Sequence, residues 1–485
     1  MMENLYDVLI VGGGAVGCAI ARELTRSKLR IALLEKESDV ACGTSGRNSA
    51  VVHAGFNNKP GTLMAKYCVE GNEGFEALCE ELDVPYNKTG KLLVAFNEAE
   101  METLARLVRQ GETNGCKGLK LVDKATVQEM APNVGGVGGF VSPNTAIFDP
   151  FIYTIALAEN AVANGAEIFL GHEVTAIRKE DGLFVVTTPK GEFKSRVLIN
   201  SAGLYSDKVS AMAGVDEYRI YPCRGEYLIL DKIAKEYLDI PVYPAPAAGI
   251  GGLGVHLTPT IHGNIIIGPS NEYIDEQEDY ATTREVLDKL FREAQMLLPP
   301  LQRKDIIGSY TGVRSKLAPP SEGGFRDFVI KEEPTVENFI NLVGIESPGM
   351  TSSMPIAKRV SAMVREKLHP EENTGFCGKR TGILRFAEQT PEKKAELIAQ
   401  DPDYGEIVCR CQQVTKKEIR QAIENPLGAK TIAAIKYRAW PTTGRCQGGY
   451  CLNRIVEMLE KEYGVAVEEI TQRGEGSELF AGRVK

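Results

Sequence analysis

Four cysteines near the end of the chain have the types and spacing of a metal site. Cys409 and Cys411 form a C-x-C pair in GEIVCRCQQVTKKEI, and Cys446 and Cys451 form a C-x4-C pair in GRCQGGYC after 34 intervening residues. Two thiolate pairs can close one four-sulfur site, which suits either an iron-sulfur cluster or zinc. Zinc more often uses C-x2-C or C-x4-C pairs, so the C-x-C spacing favours the cluster.

The residues around these cysteines predict a compact module. Thr415 and Glu418 have the spacing of a capping box, which indicates a helix that begins directly after the first pair. Gly444, Gly448 and Gly449 allow a tight second loop whose backbone amides can face sulfur. The eleven cysteines are an odd number spread over 485 residues, a usage typical of a reducing compartment, and this argues against disulfides.

A second chemical motif opens the chain. Gly12, Gly14 and Gly17 form G-x-G-x-x-G between an apolar β-rich segment, YDVLIVGG, and a helical one, GAVGCAIARELTRS. This spacing allows a tight turn, close approach of a pyrophosphate and close helix packing, while the helix N-terminus stabilises phosphate charge. Glu35 closes the next apolar strand and can accept hydrogen bonds from an adenosine ribose. The sequence therefore predicts a βαβ unit that binds a dinucleotide.

The loop after Glu35 indicates which dinucleotide is bound. GTSGRNSAVVHAGF, residues 43–56, stands where a nicotinamide-binding domain would usually continue with another helix crossover. A loop rich in glycine and serine with one arginine suits a cofactor whose second half reaches back over the sheet, as FAD does. We therefore expect Ser45, Arg47 and Asn48 to bind FAD.

These motifs belong to a longer pattern. Over nearly all of residues 5–365, the chain resembles the FAD enzyme superfamily of glycine oxidase, D-amino-acid oxidase and glycerol-3-phosphate dehydrogenase. The segments that carry this resemblance are the N-terminal stretch, GAEIFLGHEVTAI, VLINSAGLYSD, YTGVRSK and GIESPGMTSSMPIA. NSAVVHAGFNNKPGTLMAKYC, CRGEYLIL and GVHLTPTIHGNIIIGP look most like its L-2-hydroxyglutarate dehydrogenase branch. From Val408 to about Glu460 the chain resembles the bacterioferritin-associated-ferredoxin-like [2Fe-2S] domain, with all four cysteine ligands matched. This pairing of domains resembles the large subunits of anaerobic glycerol-3-phosphate dehydrogenases and related subunits of amino-acid and opine dehydrogenases.

The resemblance implies an α/β fold with three parts. A Rossmann-like FAD-binding domain of the D-amino-acid-oxidase type would carry an inserted antiparallel-sheet substrate domain, followed by a small α-rich [2Fe-2S] domain. We expect residues 369–404, which are polar and charged, to form a linker, and the last residues to form a loose tail. The predicted boundaries are 1–85, 146–220 and 308–368 for the FAD-binding domain, 86–145 and 221–307 for the substrate domain, 369–404 for the linker, 405–466 for the [2Fe-2S] domain and 467–485 for the tail.

The resemblance also implies residues that contact FAD. Val174 would contact the adenine side through its backbone, and Ala202 and Gly203 would pass close to the pyrophosphate. A helix N-terminus near the flavin pyrimidine ring would stabilise negative charge there. The residues implied at that helix N-terminus are Gly349, Met350 and Thr351.

Three further residues are implied at the reacting centre. His53 lies in the loop that the family places over the flavin, and oxidation of a secondary alcohol needs a base for the hydroxyl proton. His256, in the predicted substrate sheet, is a second candidate. Arg314 in YTGVRSK matches the arginine that family members direct at an anionic substrate group, because a guanidinium fork suits carboxylate or phosphate.

These features predict an FAD-dependent dehydrogenase that oxidises a small anionic secondary alcohol by hydride transfer to flavin N5. The first hypothesis for its reaction is oxidation of sn-glycerol 3-phosphate to dihydroxyacetone phosphate. Electrons would leave through the [2Fe-2S] cluster to an electron-accepting protein subunit, a second flavoprotein or iron-sulfur protein. The alternatives are oxidation of L-2-hydroxyglutarate or another 2-hydroxy acid, a subunit of an amino-acid or opine dehydrogenase, and, in another class, a non-catalytic electron-transfer or redox-sensing module.

The composition indicates which partners and which compartment to expect. A net charge of -9 argues against nucleic acid as a partner, while 43% hydrophobic and 25% charged residues are typical of a soluble globular protein. The longest apolar run, from Val8 to Ala21, falls short of the roughly 20 residues that span a bilayer, and no secretory signal is recognised. We therefore expect a cytoplasmic protein that meets a membrane only peripherally, through a partner.

Overall fold

The computed structural model describes residues 5–246 and 254–482. Parts of the predicted first domain, substrate domain and tail therefore lie outside the described residues. The strands are β1 (Leu5–Val11), β2 (Ile31–Glu35), β3 (Val51–Val52), β4 (Tyr86–Asn87), β5 (Lys91–Ala95), β6 (Lys120–Asp123), β7 (Gly138–Ser142), β8 (Ala146–Phe148), β9 (Glu167–Leu170), β10 (Ala176–Glu180), β11 (Leu183–Thr188), β12 (Gly191–Asn200), β13 (Tyr221–Leu230), β14 (Val242–Pro244), β15 (His256–Pro259), β16 (Ile265–Gly268), β17 (Glu272–Tyr273), β18 (Ile306–Lys316), β19 (Val329–Glu332), β20 (Phe339–Val343), β21 (Ile407–Cys409) and β22 (Val414–Thr415). The α-helices are α1 (Ala15–Leu24), α2 (Leu63–Leu82), α3 (Glu98–Thr113), α4 (Lys124–Met130), α5 (Pro150–Ala163), α6 (Ser206–Met212), α7 (Arg284–Leu297), α8 (Gly349–Leu368), α9 (Pro391–Gln400), α10 (Lys416–Ile423), α11 (Ile432–Ala439) and α12 (Leu452–Lys461).

The first sheet is the α/β core predicted from the glycine motif. Strands β9, β2, β1, β12 and β20 run parallel, and β10, β11 and β19 join at the sides with antiparallel pairing. Helices α1, α2, α5 and α8 pack together with this sheet to form a large apolar core. Because parallel strands share a direction, the loops that follow β1, β2, β12 and β20 meet at one edge, where ligands bind in such sheets.

The second sheet draws most of its strands from the residues that were predicted to form the substrate domain. Its strand order is β17, β13, β16, β15, β14, β5, β7 and β6, with β18 paired along β13. Most pairs are antiparallel, but β14 runs parallel to β5, so the sheet is mixed. Helix α7 packs on this sheet, and its apolar face joins the second core. A small third sheet consists of β3, β8 and β4.

Two predicted domain boundaries differ from the strand pairing. The boundary at residue 308 assigned most of β18 to the FAD-binding domain, whereas β18 pairs with β13 in the second sheet from Ile306 to Lys316. The boundary at residue 86 assigned β4 to the substrate domain, whereas β4 pairs with β8 beside β3. Strand partners far apart in sequence decide these boundaries, and composition does not report them.

The C-terminal module has its own core. Helices α10, α11 and α12 bury isoleucine and leucine side chains around the short β21 and β22 hairpin. The capping box predicted for Thr415 and Glu418 is present, because Thr415 accepts a hydrogen bond from the Glu418 amide while the Glu418 carboxylate accepts one from the Thr415 amide. The predicted α-rich character of this module is confirmed.

The predicted linker and tail both pack against other parts of the chain. In the linker, Arg380 pairs with Glu159 of α5 at 2.7 Å, and the Gly378 carbonyl accepts a hydrogen bond from Arg22 of α1. In the tail, Ile470 is buried in the core of the C-terminal module and its carbonyl accepts a hydrogen bond from the Leu479 amide. Polar composition predicted a linker and a loose tail here, and several of their polar groups make specific contacts.

No helix within the described ranges combines the length and the apolar character that a bilayer crossing requires.

Candidate active site

A cavity of about 990 Å³ lies between the first and second sheets and is lined by residues of both. This volume is at the upper end of ordinary ligand pockets, about 300–1,000 Å³. The cavity therefore has room for an extended cofactor. Every residue predicted from sequence to bind FAD or substrate lines it except Gly17: Gly12, Gly14, Glu35, Ser45, Arg47, Asn48, His53, Val174, Ala202, Gly203, His256, Arg314, Gly349, Met350 and Thr351.

The three motif glycines have different local roles. Gly12 has a φ of +104°, and a Cβ there would lie 2.7 Å from the Ser201 carbonyl oxygen. A Cβ on Gly17 would lie 2.0 Å from the Gly12 carbonyl oxygen, so Gly17 permits close packing of α1 and does not line the cavity. A Cβ on Gly14 would meet only Ser45 Oγ, at 3.2 Å. Gly14 is thus the motif glycine whose missing side chain leaves space in the cavity.

The N-terminus of α1 and the end of β2 fit an adenine dinucleotide. Gly14 caps α1 without a side-chain hydrogen bond of its own, and the amides of a helix N-terminus suit phosphate. The Ala15 amide donates to Ser45 Oγ at 2.9 Å. The Glu35 carboxylate accepts hydrogen bonds from the Gly13 amide at 2.6 Å and the Glu37 amide at 2.9 Å. Burial raises the pKa of Glu35, and these two amides oppose that rise.

The loop at residues 43–48 is held between the two sheets. Asn48 Nδ2 donates to the Ser45 carbonyl at 2.7 Å, which tightens the loop. Arg47 donates from Nη1 to the Thr311 carbonyl at 3.3 Å, and its guanidinium lies 4.1 Å from the centre of the Tyr280 ring. Burial lowers the pKa of Arg47. The loop thereby joins β18 of the second sheet to the dinucleotide end of the cavity.

At the other end of the cavity, the N-terminus of α8 meets His53. The His53 amide donates to Thr351 Oγ1 at 3.0 Å, and His53 Nε2 lies 3.3 Å from Ser347 Oγ. Burial, with smaller contributions from Lys91 and His256, holds the pKa of His53 well below its usual range. His53 is therefore an uncharged imidazole at neutral pH, able to accept a proton.

His256 faces the same cavity from β15. Its ring stacks on Tyr243 with 3.8 Å between centroids, and its Nδ1 lies 3.1 Å from the Gly254 carbonyl oxygen. Because a carbonyl accepts hydrogen bonds, Nδ1 carries the proton and Nε2 is an acceptor. Nε2 is buried and has no hydrogen-bond partner among the described residues. Burial lowers the pKa of His256 to about 3, so this ring is also neutral.

Arg314 is fixed by main-chain carbonyls. Its Nη2 donates to Ser270 at 2.7 Å and to Arg224 at 3.2 Å, and its Nε donates to Cys223 at 3.4 Å. These contacts use Nε and Nη2, so Nη1 is the part of the fork that remains for an anion. All three acceptors are uncharged carbonyl groups, so none of these bonds pairs the guanidinium with an anion.

A buried ion pair lies next to Arg314. Lys316 Nζ is 3.5 Å from Glu346 Oε2, and both side chains are almost fully buried. Burial raises the pKa of Glu346 to about 7, although Lys316 and Arg314 oppose the rise. Both residues stand within motifs that the sequence analysis quotes, Glu346 in GIESPGM and Lys316 in YTGVRSK.

Sequence reasoning missed three further residues near the reacting centre. Ser347 contacts His53 and stands two positions before Gly349, so its motif could have indicated it. Tyr243 stacks on His256 from β14, a strand too short to give a pattern. Lys91 is a lysine in the otherwise apolar strand KLLVA, and a charged residue in such a strand is itself a signal.

The four cysteines of the C-terminal module lie in two pairs. Cys411 Sγ is 3.5 Å from Cys446 Sγ, and both residues are exposed. Cys409 and Cys451 are buried, and a hydrogen bond joins their two free thiols. That bond, with the amides of Gln412 and Cys411, lowers the pKa of Cys409 to about 6. Donors directed at sulfur favour thiolates, the form that binds metal.

The amides around Cys446 act in the same way. The Tyr450 and Gly448 amides, together with the Cys411 thiol, lower the pKa of Cys446. Across the described residues, no three or more His, Cys, Asp or Glu side chains are arranged to hold a single metal ion. The paired thiols and their amide donors fit a group that takes two thiolates on each side.

Family comparisons agree with these two sites. Residues 7–363 match the model of the FAD dependent oxidoreductase (DAO) family, and residues 407–461 match that of the BFD-like [2Fe-2S] binding domain. The glycerol 3-phosphate dehydrogenase of Caloramator mitchellensis is 39% identical over 99% of this chain and 99% of its own. The L-2-hydroxyglutarate dehydrogenase of Indibacter alkaliphilus is 32% identical over 73% of this chain and 98% of its own.

A solved structure gives the same picture. The dithionite-reduced L-alpha-glycerophosphate oxidase from Mycoplasma pneumoniae with FAD bound is similar with a TM-score of 0.72 and 29% identity, over 78% of this chain and 98% of its own. Fold, cavity and thiol module together define a flavin-dependent oxidoreductase with an iron-sulfur domain. The chain belongs to the FAD-dependent oxidoreductase (DAO) family, and it carries a BFD-like [2Fe-2S] domain at its C-terminal end. The predicted family, fold class and two cofactors are confirmed.

Proposed function

We propose that this protein oxidises sn-glycerol 3-phosphate to dihydroxyacetone phosphate and passes the electrons out through its [2Fe-2S] domain. The observation that carries this proposal is the constrained guanidinium of Arg314 in the same cavity as the neutral imidazole of His53. An anion bound at Arg314 would place a neighbouring hydroxyl carbon within the cavity that His53 lines. The full-length similarity to a glycerol 3-phosphate dehydrogenase supports phosphate as that anion.

The proton chemistry is assigned to the two histidines. Oxidation of a secondary alcohol removes one proton from oxygen and one hydrogen with two electrons from carbon. His53 Nε2 accepts the hydroxyl proton, and once protonated it can donate a hydrogen bond to Ser347 Oγ, which lies 3.3 Å away. His256 Nε2 accepts a hydrogen bond from a substrate hydroxyl, which gives its buried acceptor a partner. When bound, FAD supplies the two-electron acceptor and the cluster supplies a one-electron exit.

The remaining assignments follow the cavity. The adenine half of FAD is held by Gly12, Gly14, Glu35 and Ser45, with Val174, Ala202 and Gly203 beside it. The loop residues Arg47 and Asn48 and the α8 residues Gly349, Met350 and Thr351 hold the flavin half, and Gly17 acts through helix packing. Cys409, Cys411, Cys446 and Cys451 bind the cluster.

The electron acceptor is proposed to be a second redox protein, a flavoprotein or iron-sulfur subunit. The exposure of Cys411 and Cys446 supports this, because a partner could approach that side of the thiol site. We place the enzyme in the cytoplasm, with any membrane contact made through the partner.

Oxidation of L-2-hydroxyglutarate is the second candidate. Its support is the 32% identity to L-2-hydroxyglutarate dehydrogenases, and a carboxylate would suit Arg314 as well as a phosphate does. The similarity to that relative covers 73% of this chain, against 99% for the glycerol 3-phosphate dehydrogenase, so the first candidate accounts for more of the molecule.

Loss of flavin absorbance under anaerobic conditions tests both candidates. The purified holoprotein is mixed separately with glycerol 3-phosphate, L-2-hydroxyglutarate, proline and sarcosine. We expect glycerol 3-phosphate to bleach the flavin, and we expect Arg314→Met to raise the concentration needed by roughly 10²-fold or more. The matched control is Arg303→Met, an exposed arginine outside the cavity, which should bleach as the wild type does.

The other outcomes decide among the alternatives. Bleaching by L-2-hydroxyglutarate alone would replace phosphate by carboxylate at Arg314, and bleaching by proline or sarcosine alone would indicate an amino-acid dehydrogenase subunit. Bleaching by none of the four, with reduction only by a redox protein, would identify an electron-transfer module.

A further inference from the structure

A buried lysine lies just outside the cavity wall. Lys91 of β5 has no exposed surface, and its Nζ has no hydrogen-bond partner within the described part of the chain. Nζ lies 3.9 Å from the centre of the Tyr243 ring and 5.7 Å from that of Phe56. Both rings line the cavity, whereas Lys91 itself does not. Lys91 is therefore one layer behind the surface that substrate would contact.

Packing alone does not account for a lysine at this position. The following residues of β5, Leu92, Leu93 and Val94, are fully buried and apolar, so methionine or leucine would fill the same space. An amino group that is buried without a hydrogen bond or a carboxylate loses its hydration without compensation. A cation–π contact with the Tyr243 ring offsets only part of the free energy lost with that hydration. Such an uncompensated charge beside a cleft is typical of a functional group.

The sheet connects Lys91 to the reacting centre. Strand β14 lies between β5 and β15, so Tyr243 stands between Lys91 and His256. The Tyr243 and His256 rings stack with 6° between their planes. A displacement or a change of charge at Lys91 would therefore act on the Tyr243 ring, which stacks on His256.

We propose that Lys91 is a positioning residue for the reaction: its positive charge, held against Tyr243, repels protons from His53 and His256 and keeps both imidazoles available as proton acceptors. This inference rests on the proposed function, because it assigns to Lys91 a task that the two histidines need in that function. It adds a residue that neither lines the cavity nor belongs to a motif.

The side chains around Lys91 do not cancel its positive charge. The titratable groups that face it are Cys68 of α2, His53 in the loop after β3, Tyr243 of β14 and His256 of β15. Across β7 its partner is Ser142, which carries no charge. Arg314 of β18 adds a second positive charge toward His256. No acid among the described residues forms an ion pair with Lys91 that would cancel its charge.

The pH range in which Lys91 acts follows from its own titration. Burial lowers the pKa of Lys91 to about 7, so the amine is charged below that pH and neutral above it. An ordinary histidine takes up its proton near pH 6.5, which is within the range where Lys91 is charged. Burial is the larger cause of the low pKa of His53 and His256, and the charge of Lys91 adds to it below about pH 7 and has no such effect at pH 8.5.

The test compares pH profiles of kcat/KM for wild type, Lys91→Met and Lys91→Arg, with the substrate that bleaches the flavin. In Lys91→Met the acid limb should move to higher pH by roughly one unit, while the rate at pH 8.5 stays close to that of wild type. Lys91→Arg keeps the charge and should restore the wild-type limb. Lys120→Met, an exposed lysine on β6 of the same sheet, is the matched control and should leave the profile unchanged.

Histidine titration supplies a readout that needs no substrate, so it separates failure of this inference from failure of the proposed function. In holoprotein labelled with ¹⁵N-histidine, His53 and His256, assigned by His53→Gln and His256→Gln, should stay neutral at pH 5.5 in wild type. In Lys91→Met they should take up protons at higher pH than in wild type. If Lys91→Met does not fold, Lys91→Gln is titrated in its place.

Two results would overturn the proposal. One is an acid limb and histidine titration in the folded neutral variant that match wild type. The other is a wild-type titration of both histidines near pH 6.5, which would show that neither burial nor the charge of Lys91 lowers their pKa.

Discussion

Arg438 of α11 and Asp39, in the loop after β2, form a buried two-point ion pair across 399 residues of sequence. Nη1 lies 2.5 Å from Oδ2 and Nη2 lies 3.0 Å from Oδ1. Both side chains are almost fully buried, and Glu159 of α5 lies 3.5 Å from the Arg438 Nε. The [2Fe-2S] domain is therefore docked directly on the FAD-binding domain.

Aromatic contacts reinforce this interface. The Tyr437 ring stacks on Phe151 of α5 with 3.8 Å between centroids. Three positions along, Trp440 contacts His262, whose Nε2 lies 2.9 Å from the Asp149 carboxylate at the start of α5. The module that carries the thiol site is thus held against the FAD-binding domain.

Breaking the Arg438 and Asp39 pair should loosen the docked domain. Arg438→Met leaves the Asp39 carboxylate buried without its partner, which costs about 3–5 kcal/mol. Trp440 is the single tryptophan of the chain, so its fluorescence during denaturant unfolding reports this domain specifically. The control is Lys28→Met, which removes an exposed ion pair with Glu371 and should leave the unfolding midpoint in place. Equal midpoints for the two variants would contradict the docking role.

Loss of one cluster ligand should separate the two half-reactions. Cys446→Ser should keep its flavin and remain reducible by substrate, because Cys446 lies outside the cavity, yet it should lose most electron transfer to a protein acceptor. Iron and acid-labile sulfide in the anaerobically purified wild type should be about two of each per chain. Cys377→Ser, an exposed cysteine outside the thiol module, should behave as wild type. Stoichiometric zinc without sulfide in the wild type would remove the relay.

A side chain on Gly14 should exclude the cofactor without unfolding the protein. In Gly14→Val the new atoms meet only Ser45 Oγ among protein atoms near Cβ, so the fold should persist while the space for pyrophosphate is lost. Gly74→Val is the matched control, because Gly74 is exposed on α2 and a Cβ there meets nothing. We expect flavin absorbance near zero in the first variant and normal in the second. Full flavin content in Gly14→Val would make that glycine purely a turn residue.

The flavin itself should be held without a covalent bond. The glycine turn, the helix N-terminus and Glu35 provide contacts along the dinucleotide, and no attachment motif is recognised in the sequence. Acid precipitation should therefore release yellow colour into the supernatant. Colour that stays with the pellet would mean that a side chain is bonded to the flavin.

Replacement of His53 should slow the reaction and remove one titration. His53→Gln should lower kcat by roughly 10²–10⁴-fold, the usual contribution of a general base, with flavin content unchanged. Since the pKa of His53 is held below its usual range, wild-type activity should persist as pH falls through 6.5 and be lost only at lower pH, and the variant should lack this limb. His369→Asn, an exposed histidine at the end of α8, is the control. A wild-type acid limb retained in His53→Gln would assign the base elsewhere.

The sequence by itself determined the parts whose chemistry depends on neighbours along the chain. Gly12, Gly14 and Gly17 indicate a phosphate turn because their spacing is imposed by one strand, one turn and one helix. The cysteine pairs at 409 and 411 and at 446 and 451 indicate a thiolate site because the two members of each pair are close together in the sequence. The capping box follows from the three-residue spacing of Thr415 and Glu418. Local geometry of this kind is encoded locally, so it can be read without the fold.

Only the tertiary structure decided which distant residues meet. Lys91 is unusual in the apolar strand KLLVA, but only the fold shows what it contacts, because β14 places Tyr243 between Lys91 and His256. Arg438 and Asp39 carry no motif, and the polar residues of 369–404 looked like a linker until Arg380 was seen against Glu159. Contacts across hundreds of residues depend on sheet order and helix packing, which arise from the summed burial of many side chains, and no single stretch of sequence contains that information.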